Sequence, residues 1–236
     1  MILEVKGLHS YYGKSHVLQG VDLELEQGQL VCLLGRNGVG KSTTLMSIMG
    51  LVTPGAGSVR LKGQELAGRQ PFEIARRGLG FVPEERRIFT SLTVLENLMI
   101  GRQEPRPGFV GQPWTLERIL DSFPRLAERR TNMGGHLSGG EQQMLTIART
   151  LMGNPEVVLV DEPTEGLAPL VAEAVLEMLR TISLAGMTIL MVEQNLKAAM
   201  KLANAFYIMS KGRMVFKGDG QALMAAEEVR RKYLEV

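Results

Sequence analysis

Gly35-Arg36-Asn37-Gly38-Val39-Gly40-Lys41-Ser42, followed by Thr43, fits the pattern G-x-x-x-x-G-K-[ST] in full. Its glycines let the backbone turn tightly and aim successive N–H groups inward, toward an anion. The helix that opens at Lys41 adds roughly half a positive charge at its N-terminus. Lys41 brings a full, mobile charge suited to the β- and γ-phosphates of a nucleotide. The hydroxyl of Ser42 suits Mg²⁺, a hard ion that prefers oxygen. Further on, Val157-Val158-Leu159-Val160 leads into Asp161-Glu162. A buried strand ending in two carboxylates places them at a sheet's C-terminal edge, where open α/β sheets bind ligands. Asp161 there holds the metal, through water, and Glu162 takes a proton from an attacking water. The expected chemistry is hydrolysis of a Mg-nucleotide. A third constellation is Leu137-Ser138-Gly139-Gly140-Glu141-Gln142-Gln143. Ser138 caps a helix, Glu141 three residues on completes a capping box, and two glycines bare the first amides. It is a second anion-binding helix start.

These residues need a scaffold, and the chain is long enough to supply one. It has 236 residues, 44% hydrophobic and 22% charged, within the globular norm. One cysteine excludes an intrachain disulfide. His9, His16 and His136 are too far apart for a local metal motif. No run approaches the roughly 20 apolar residues of a membrane span, and no signal peptide is visible. The chain reads as cytoplasmic, reaching a membrane only through a partner. A net charge of +2 is a weak electrostatic case for nucleic acid, and none is expected as a partner.

Short Val/Ile/Leu runs at Leu30–Leu34, Gly80–Val82, Val157–Val160 and Thr188–Val192 alternate with helical patterns, including Leu170–Leu184 and Asn195–Leu202. This predicts a largely parallel sheet covered on both faces. Residues 1–25 alternate like an antiparallel sheet with one wet face, turning at Tyr12-Gly13-Lys14-Ser15. Phe206–Met209 and Met214–Phe216 flank Ser210-Lys211-Gly212-Arg213, a hairpin signal. From Gly50 to Gly80 no strand is predicted. Residues 93–153 are helical in pattern, with a loop over Gly101–Pro113. Residues 86–150 hold nine arginines, no lysine and six acids, which is read either as a solvated lobe or as a docking surface.

In this company the Leu137–Gln143 stretch resembles the signature loop of ATP-binding cassette (ABC) ATPases. Gly35–Ser42 then reads as Walker A and Val157–Glu162 as Walker B, in the family's order and spacing across nearly the whole chain. The resemblance implies an α/β P-loop NTPase (RecA-like) core with a mostly parallel sheet. It also implies an N-terminal antiparallel β subdomain and an inserted α-helical subdomain. The core then covers 1–92 and 154–236, and the helical subdomain 93–153. ATP and Mg²⁺ are the implied cofactors. Tyr12 resembles the aromatic that stacks on adenine, with Tyr11 as the alternative. Glu84, after Pro83, sits where the family usually has glutamine, and is implied to bind Mg²⁺ directly or through water, with Ser42 and Asp161. Glu165-Gly166-Leu167-Ala168 occupies the D-loop. Gln194 falls where most members have a catalytic histidine; it can donate a hydrogen bond but carries no charge. These departures imply slow hydrolysis at this chain's own site, or dependence on a partner.

Pro83–Phe89, Phe123–Leu126, Glu162–Pro169 and Val192–Asn195 together resemble ATP-binding subunits of branched-chain (hydrophobic) amino-acid importers. Urea-importer ATPases are the nearest rival, with lipid-export and non-transport ABC ATPases behind. The resemblance further implies a head-to-tail pair with a second homologous ATPase, identical or different. Each ATP then lies between one subunit's Walker A and the signature residues Leu137, Ser138, Gly139, Gly140 and Glu141 of the other. Transmembrane permease subunits dock near Glu84–Leu92 and the arginine-bearing lobe. A periplasmic or extracellular binding protein acts indirectly. The expected location is peripheral, on the inner face of the cell membrane.

Overall fold

The computed structural model describes residues 1–109 and 111–234. Val110 of the expected loop, and Glu235 and Val236 of the expected core segment, lie outside the described residues. The chain opens with β1 (Leu3–Tyr12), β2 (Ser15–Leu25) and β3 (Leu30–Leu34), then α1 (Lys41–Ile48). β4 (Ala56–Leu61), β5 (Gln64–Glu65), α2 (Pro71–Arg76) and β6 (Leu79–Val82) follow. Four helices come next: α3 (Val94–Gly101), α4 (Leu116–Ser122), α5 (Pro124–Glu128) and, after a 3₁₀ turn at Gly134–His136, α6 (Gly139–Leu151). β7 (Val157–Asp161), α7 (Pro169–Leu184), β8 (Thr188–Glu193) and α8 (Leu196–Leu202) continue the α/β alternation. β9 (Ala205–Ser210), β10 (Arg213–Gly218), α9 (Gly220–Ala225) and α10 (Glu227–Tyr233) close it.

Two sheets result. One is antiparallel, in order β2-β1-β4-β5; the other runs β10-β9-β3-β8-β7-β6. In the second, β9, β3, β8, β7 and β6 are parallel, and β10 returns antiparallel on β9 as the expected hairpin. This is the predicted fold class. The parallel strands read as unbroken apolar runs because both their faces are covered. Along β3, Leu30, Cys32 and Leu34 enter the cluster shared with the helices, while Val31 and Leu33 enter the cluster under the antiparallel sheet. β8 divides the same way, Ile189 and Met191 against Leu190 and Val192.

Three features depart from the sequence reading. β4 and the short β5 are both absent from the expectation between Gly50 and Gly80; β4 pairs antiparallel with β1, and β5 with β4. Gly55 and Gly57 disguise β4 as a turn. A Cβ on Gly57 would stand 2.3 Å from the Gly7 carbonyl oxygen, so close approach of β1 and β4 requires glycine there. Within β1, Leu3 and Val5 are buried at the ordinary spacing of two, but the next buried apolar residue, Leu8, comes three residues later, while Ile2 lies just before the strand. The register shift between Val5 and Leu8 accounts for this, since a bulge inserts a residue without moving the apolar set off the core.

Candidate nucleotide site

Four of the segments expected to carry chemistry leave the C-terminal ends of parallel strands, whereas the Leu137–Glu141 stretch opens α6 and Tyr12 ends the antiparallel β1. The loop Gly35–Gly40 follows β3, Glu84 follows β6, Asp161 ends β7 with Glu162 directly after it, and Gln194 follows β8. An open cleft of about 280 Å³ lies there, lined by Asn37, Gly38, Lys41, Ser42, Thr43 and Glu84, with Glu162 and Glu165 opposite. Gly40 stands before α1 at φ 114°, a conformation that side-chain-bearing residues rarely adopt. The hairpin turn of β9–β10 braces this loop, as the Gly212 amide donates to the Val39 carbonyl at 2.9 Å. That brace was not legible in the hairpin signal.

Lys41 is 4% exposed. Its Nζ lies 2.9 Å from Glu162 Oε1 and donates to the Arg36 carbonyl at 3.2 Å. The Glu162 carboxylate therefore occupies the ammonium that a phosphate would take. Glu162 itself sits at φ 40°, in the left-handed region, with its amide donating to the Val192 carbonyl at 3.1 Å. Strain of this kind, held by surrounding hydrogen bonds, is common at functional sites. Ser42 Oγ donates to Asp161 Oδ1 at 2.9 Å. A hydroxyl and a carboxylate in contact, with Glu84 lining the same cleft, form a hard oxygen donor set that fits a small divalent cation.

The carboxylates are crowded, and their protons reflect it. Burial pushes Asp161 up to about 6; the Ser42 hydrogen bond opposes this, and the charges of Glu162 and Glu84 reinforce it. Burial also opposes ionisation of Glu162, but hydrogen bonding with Glu165 and the Lys41 ammonium outweigh it and hold Glu162 below the usual range. Glu165 is pushed to about 7, first by its hydrogen bond to Glu162, then by burial and the charges of Glu162 and Glu84. Below about pH 7 the proton of this pair is therefore favoured on Glu165, with Glu162 ionised beside it.

Ser138 caps α6 as expected. Its amide donates to Glu141 Oε2 at 2.8 Å, and the Glu141 amide donates to Ser138 Oγ at 3.4 Å. Arg129 lies 2.8 Å from the other Glu141 oxygen. Leu137, Ser138, Gly139, Gly140 and Glu141 do not line the phosphate cleft of their own chain. Gln194 is exposed and also outside that lining. Tyr12 is 48% exposed at the end of β1, whereas the alternative, Tyr11, is stacked on His16 with ring centroids 4.3 Å apart. The sequence reading placed Glu165 in the D-loop stretch and Glu193 within Val192–Asn195 but gave neither carboxylate a part in the site. Their signal is a carboxylate three residues after Glu162 and another ending an otherwise apolar strand.

The chain matches the ABC transporter family over residues 18–165. It is 40% identical to the high-affinity branched-chain amino acid transport ATP-binding protein BraG of Pseudomonas aeruginosa, over 99% of each chain. It is 35% identical to a probable branched-chain amino acid transport ATP-binding protein, LivF, of Archaeoglobus fulgidus, over 97% of this chain and 96% of that one. A crystal structure of a nucleotide-free ATP-binding cassette from an ABC transporter superposes with a TM-score of 0.82 at 26% identity, over 97% of this chain and 96% of the other. The chain belongs to the ABC transporter family, as one of its ATPase domains.

Proposed function

We propose that this chain is the ATP-hydrolysing subunit that energises import of branched-chain or other hydrophobic amino acids. The observation that carries the hydrolytic part is the Lys41–Glu162 contact at 2.9 Å beside Ser42–Asp161. The near full-length likeness to BraG supports the substrate class. Nucleotide phosphates displace Glu162 from Lys41 and settle among the amides of Gly35–Gly40, with Ser42 and Thr43 at the start of α1. Tyr12, unstacked and exposed, offers its face to adenine. Freed Glu162 accepts a proton from water. The water oxygen bonds to the γ-phosphorus as the bond to the β-bridging oxygen breaks. Ser42 and Asp161, with Glu84, would hold Mg²⁺, which would supply neutralisation of phosphate charge. Gln194 donates one uncharged hydrogen bond to the γ-phosphate.

The signature residues Leu137–Glu141 do not reach their own cleft, which supports a head-to-tail pair in which they face a partner ATPase's nucleotide. Residues 93–153 then act as the lobe that carries them. Among the described residues no helix is long and apolar enough to cross a membrane; the likeness to transport ATP-binding proteins supports coupling to transmembrane permease subunits. A groove of about 350 Å³ lined by Phe81, Phe89, Ile100, Arg149 and Pro155 is where these dock. It holds the chain at the inner face of the membrane, and a binding protein contacts only the permeases. The test is reconstitution with the permeases in vesicles. ATP-driven uptake of leucine is expected. Uptake of urea but not leucine would reassign the importer. With Glu162→Gln, ATP still binds while turnover falls by about 10²-fold or more; loss of binding would make Glu162 structural.

A further inference from the structure

Glu193 ends β8, a strand whose other residues, Thr188 to Val192, are all buried. It is itself 3% exposed, and no step above uses it. Burying a carboxylate is costly, and an apolar residue at such a place is commonly as stable or more so. The Glu193 carboxylate is retained here with three donors. Thr164 Oγ1 donates to Oε1 at 2.7 Å. The amides of Gln194 and Asn195 donate to Oε2 at 3.2 and 3.4 Å. Burial raises its proton affinity, against the pull of Thr164 and the two amides.

The partners matter because of what they neighbour. Thr164 lies two residues after Glu162, in the turn that leads to Glu165. Gln194 and Asn195 form the turn after β8. The Glu162 amide is already fixed to β8 through the Val192 carbonyl at 3.1 Å. Past the β7–β8 ladder, which runs to Asp161 and Val192, the strand ends are thus joined by the Glu162 amide and by the Glu193 side chain. The Glu193 join is the one that reaches into both turns.

We propose that Glu193 is a positioning residue for hydrolysis, clamping the turn that carries Glu162 to the turn that carries Gln194 so that both meet the γ-phosphate in a fixed relation. It is buried and outside the cleft lining, so its effect is on the alignment of Glu162. The inference rests on the hydrolytic role given to Glu162 above.

The experiment is steady-state ATPase of the assembled transporter, with nucleotide affinity and thermal midpoint measured on the full chain. Glu193→Met keeps the length and removes both acceptors. It is expected to lower kcat about tenfold, the scale of a lost charge-assisted hydrogen bond, with nucleotide Kd within about twofold. Glu193→Gln is expected to stay within about threefold of wild type, because the Thr164 hydroxyl can rotate to accept from the amide. Thr164→Val lowers kcat and Thr164→Ser restores it. The double variant Glu193→Met with Thr164→Val is no slower than the worse single, as members of one clamp are non-additive. Unchanged kcat in both Glu193→Met and Thr164→Val overturns the proposal. So do effects that multiply in the double variant, or losses of Kd and thermal midpoint that match the loss of kcat. Should Glu193→Met fail to fold, the Thr164 pair decides alone. Wild-type turnover in Glu162→Gln would instead sink the role of Glu162.

Discussion

Lys41 is held by a carboxylate of its own chain, and that shapes what its removal does. Lys41→Ala deletes the phosphate contact and also leaves Glu162 buried without its cation, so nucleotide binding and coupled uptake are both expected to be lost. Binding is checked by titration with a fluorescent ATP analogue, and wild-type affinity would contradict the assignment. Glu165 gives a second expectation. Its pKa is raised in the folded chain to about 7, as Asp161's is to about 6, so between pH 5 and 8 the folded state binds more protons than the unfolded one. Stability from these groups is therefore present at low pH and lost as pH rises through 6 to 7. Denaturant midpoints of the nucleotide-free chain should fall from pH 5.5 to pH 8, and Glu165→Gln should flatten the upper part of that fall. An equally steep profile in Glu165→Gln would show that Glu165 does not hold the proton of its pair with Glu162. On the role proposed for Gln194, a histidine there would bring a group able to carry charge toward the γ-phosphate; Gln194→His is expected to speed single-turnover hydrolysis in the complex, and an unchanged rate would mean Gln194 costs the site nothing. Lys41, Ser42, Asp161 and Glu162 were legible because their chemistry is bound to a fixed local spacing. Glu165 and Glu193 were not, because their partners come from contacts that only the folded sheet creates.

At the scale of elements, the parallel strands announced themselves by length and apolarity, and α6 by its capping box. β4 did not, because the glycines that let it approach β1 are the same residues that punctuate turns. Asn97 in α3 shows a related blind spot. It reads as a polar residue on a helix, yet it is fully buried. Its Oδ1 accepts from the Phe89 amide at 2.9 Å, and its Nδ2 donates to the carbonyls of Phe89 and Thr93, both at 2.9 Å, and of Leu92 at 3.2 Å. One side chain thus ties the loop after β6 to the start of α3. From the other side, Thr146 and Arg149 of α6 donate to the Arg86 and Arg87 carbonyls at 2.6 and 2.7 Å. Arg86 and Arg87 both lie at positive φ, so the loop is held in a shape it would not take alone. Asn97→Ala strips the loop of its anchor and leaves buried polar groups unpaired, at a cost of about 2–4 kcal/mol. Urea denaturation measures it, and a loss under about 0.5 kcal/mol would show that water replaces the amide.

Across the whole molecule, the helical stretch and the parallel sheet share one apolar cluster. Leu98, Phe123 and Leu145 belong to it together with Leu30, Val158 and Ile189. Helices α3–α6 therefore do not own a core, and the groove proposed above for docking lies where they meet the sheet. Phe89 is 47% exposed there and Ile100 55%. Arg149 stands 5.2 Å from the Phe89 ring centroid while its guanidinium holds the Arg87 carbonyl, so the groove floor and the loop carrying Glu84 are one hydrogen-bonded unit. Phe89 and Glu84 lie on this one loop, so the groove and the nucleotide cleft share it. An exposed aromatic in such a groove is the kind of anchor on which interface energy concentrates, commonly 2 kcal/mol or more. Phe89→Glu places a charge against an apolar partner surface and is expected to weaken co-purification with the permeases by about 30-fold or more. The thermal midpoint of the free chain serves as the control for folding. A wild-type yield of complex from Phe89→Glu would move the docking surface to another face of the chain.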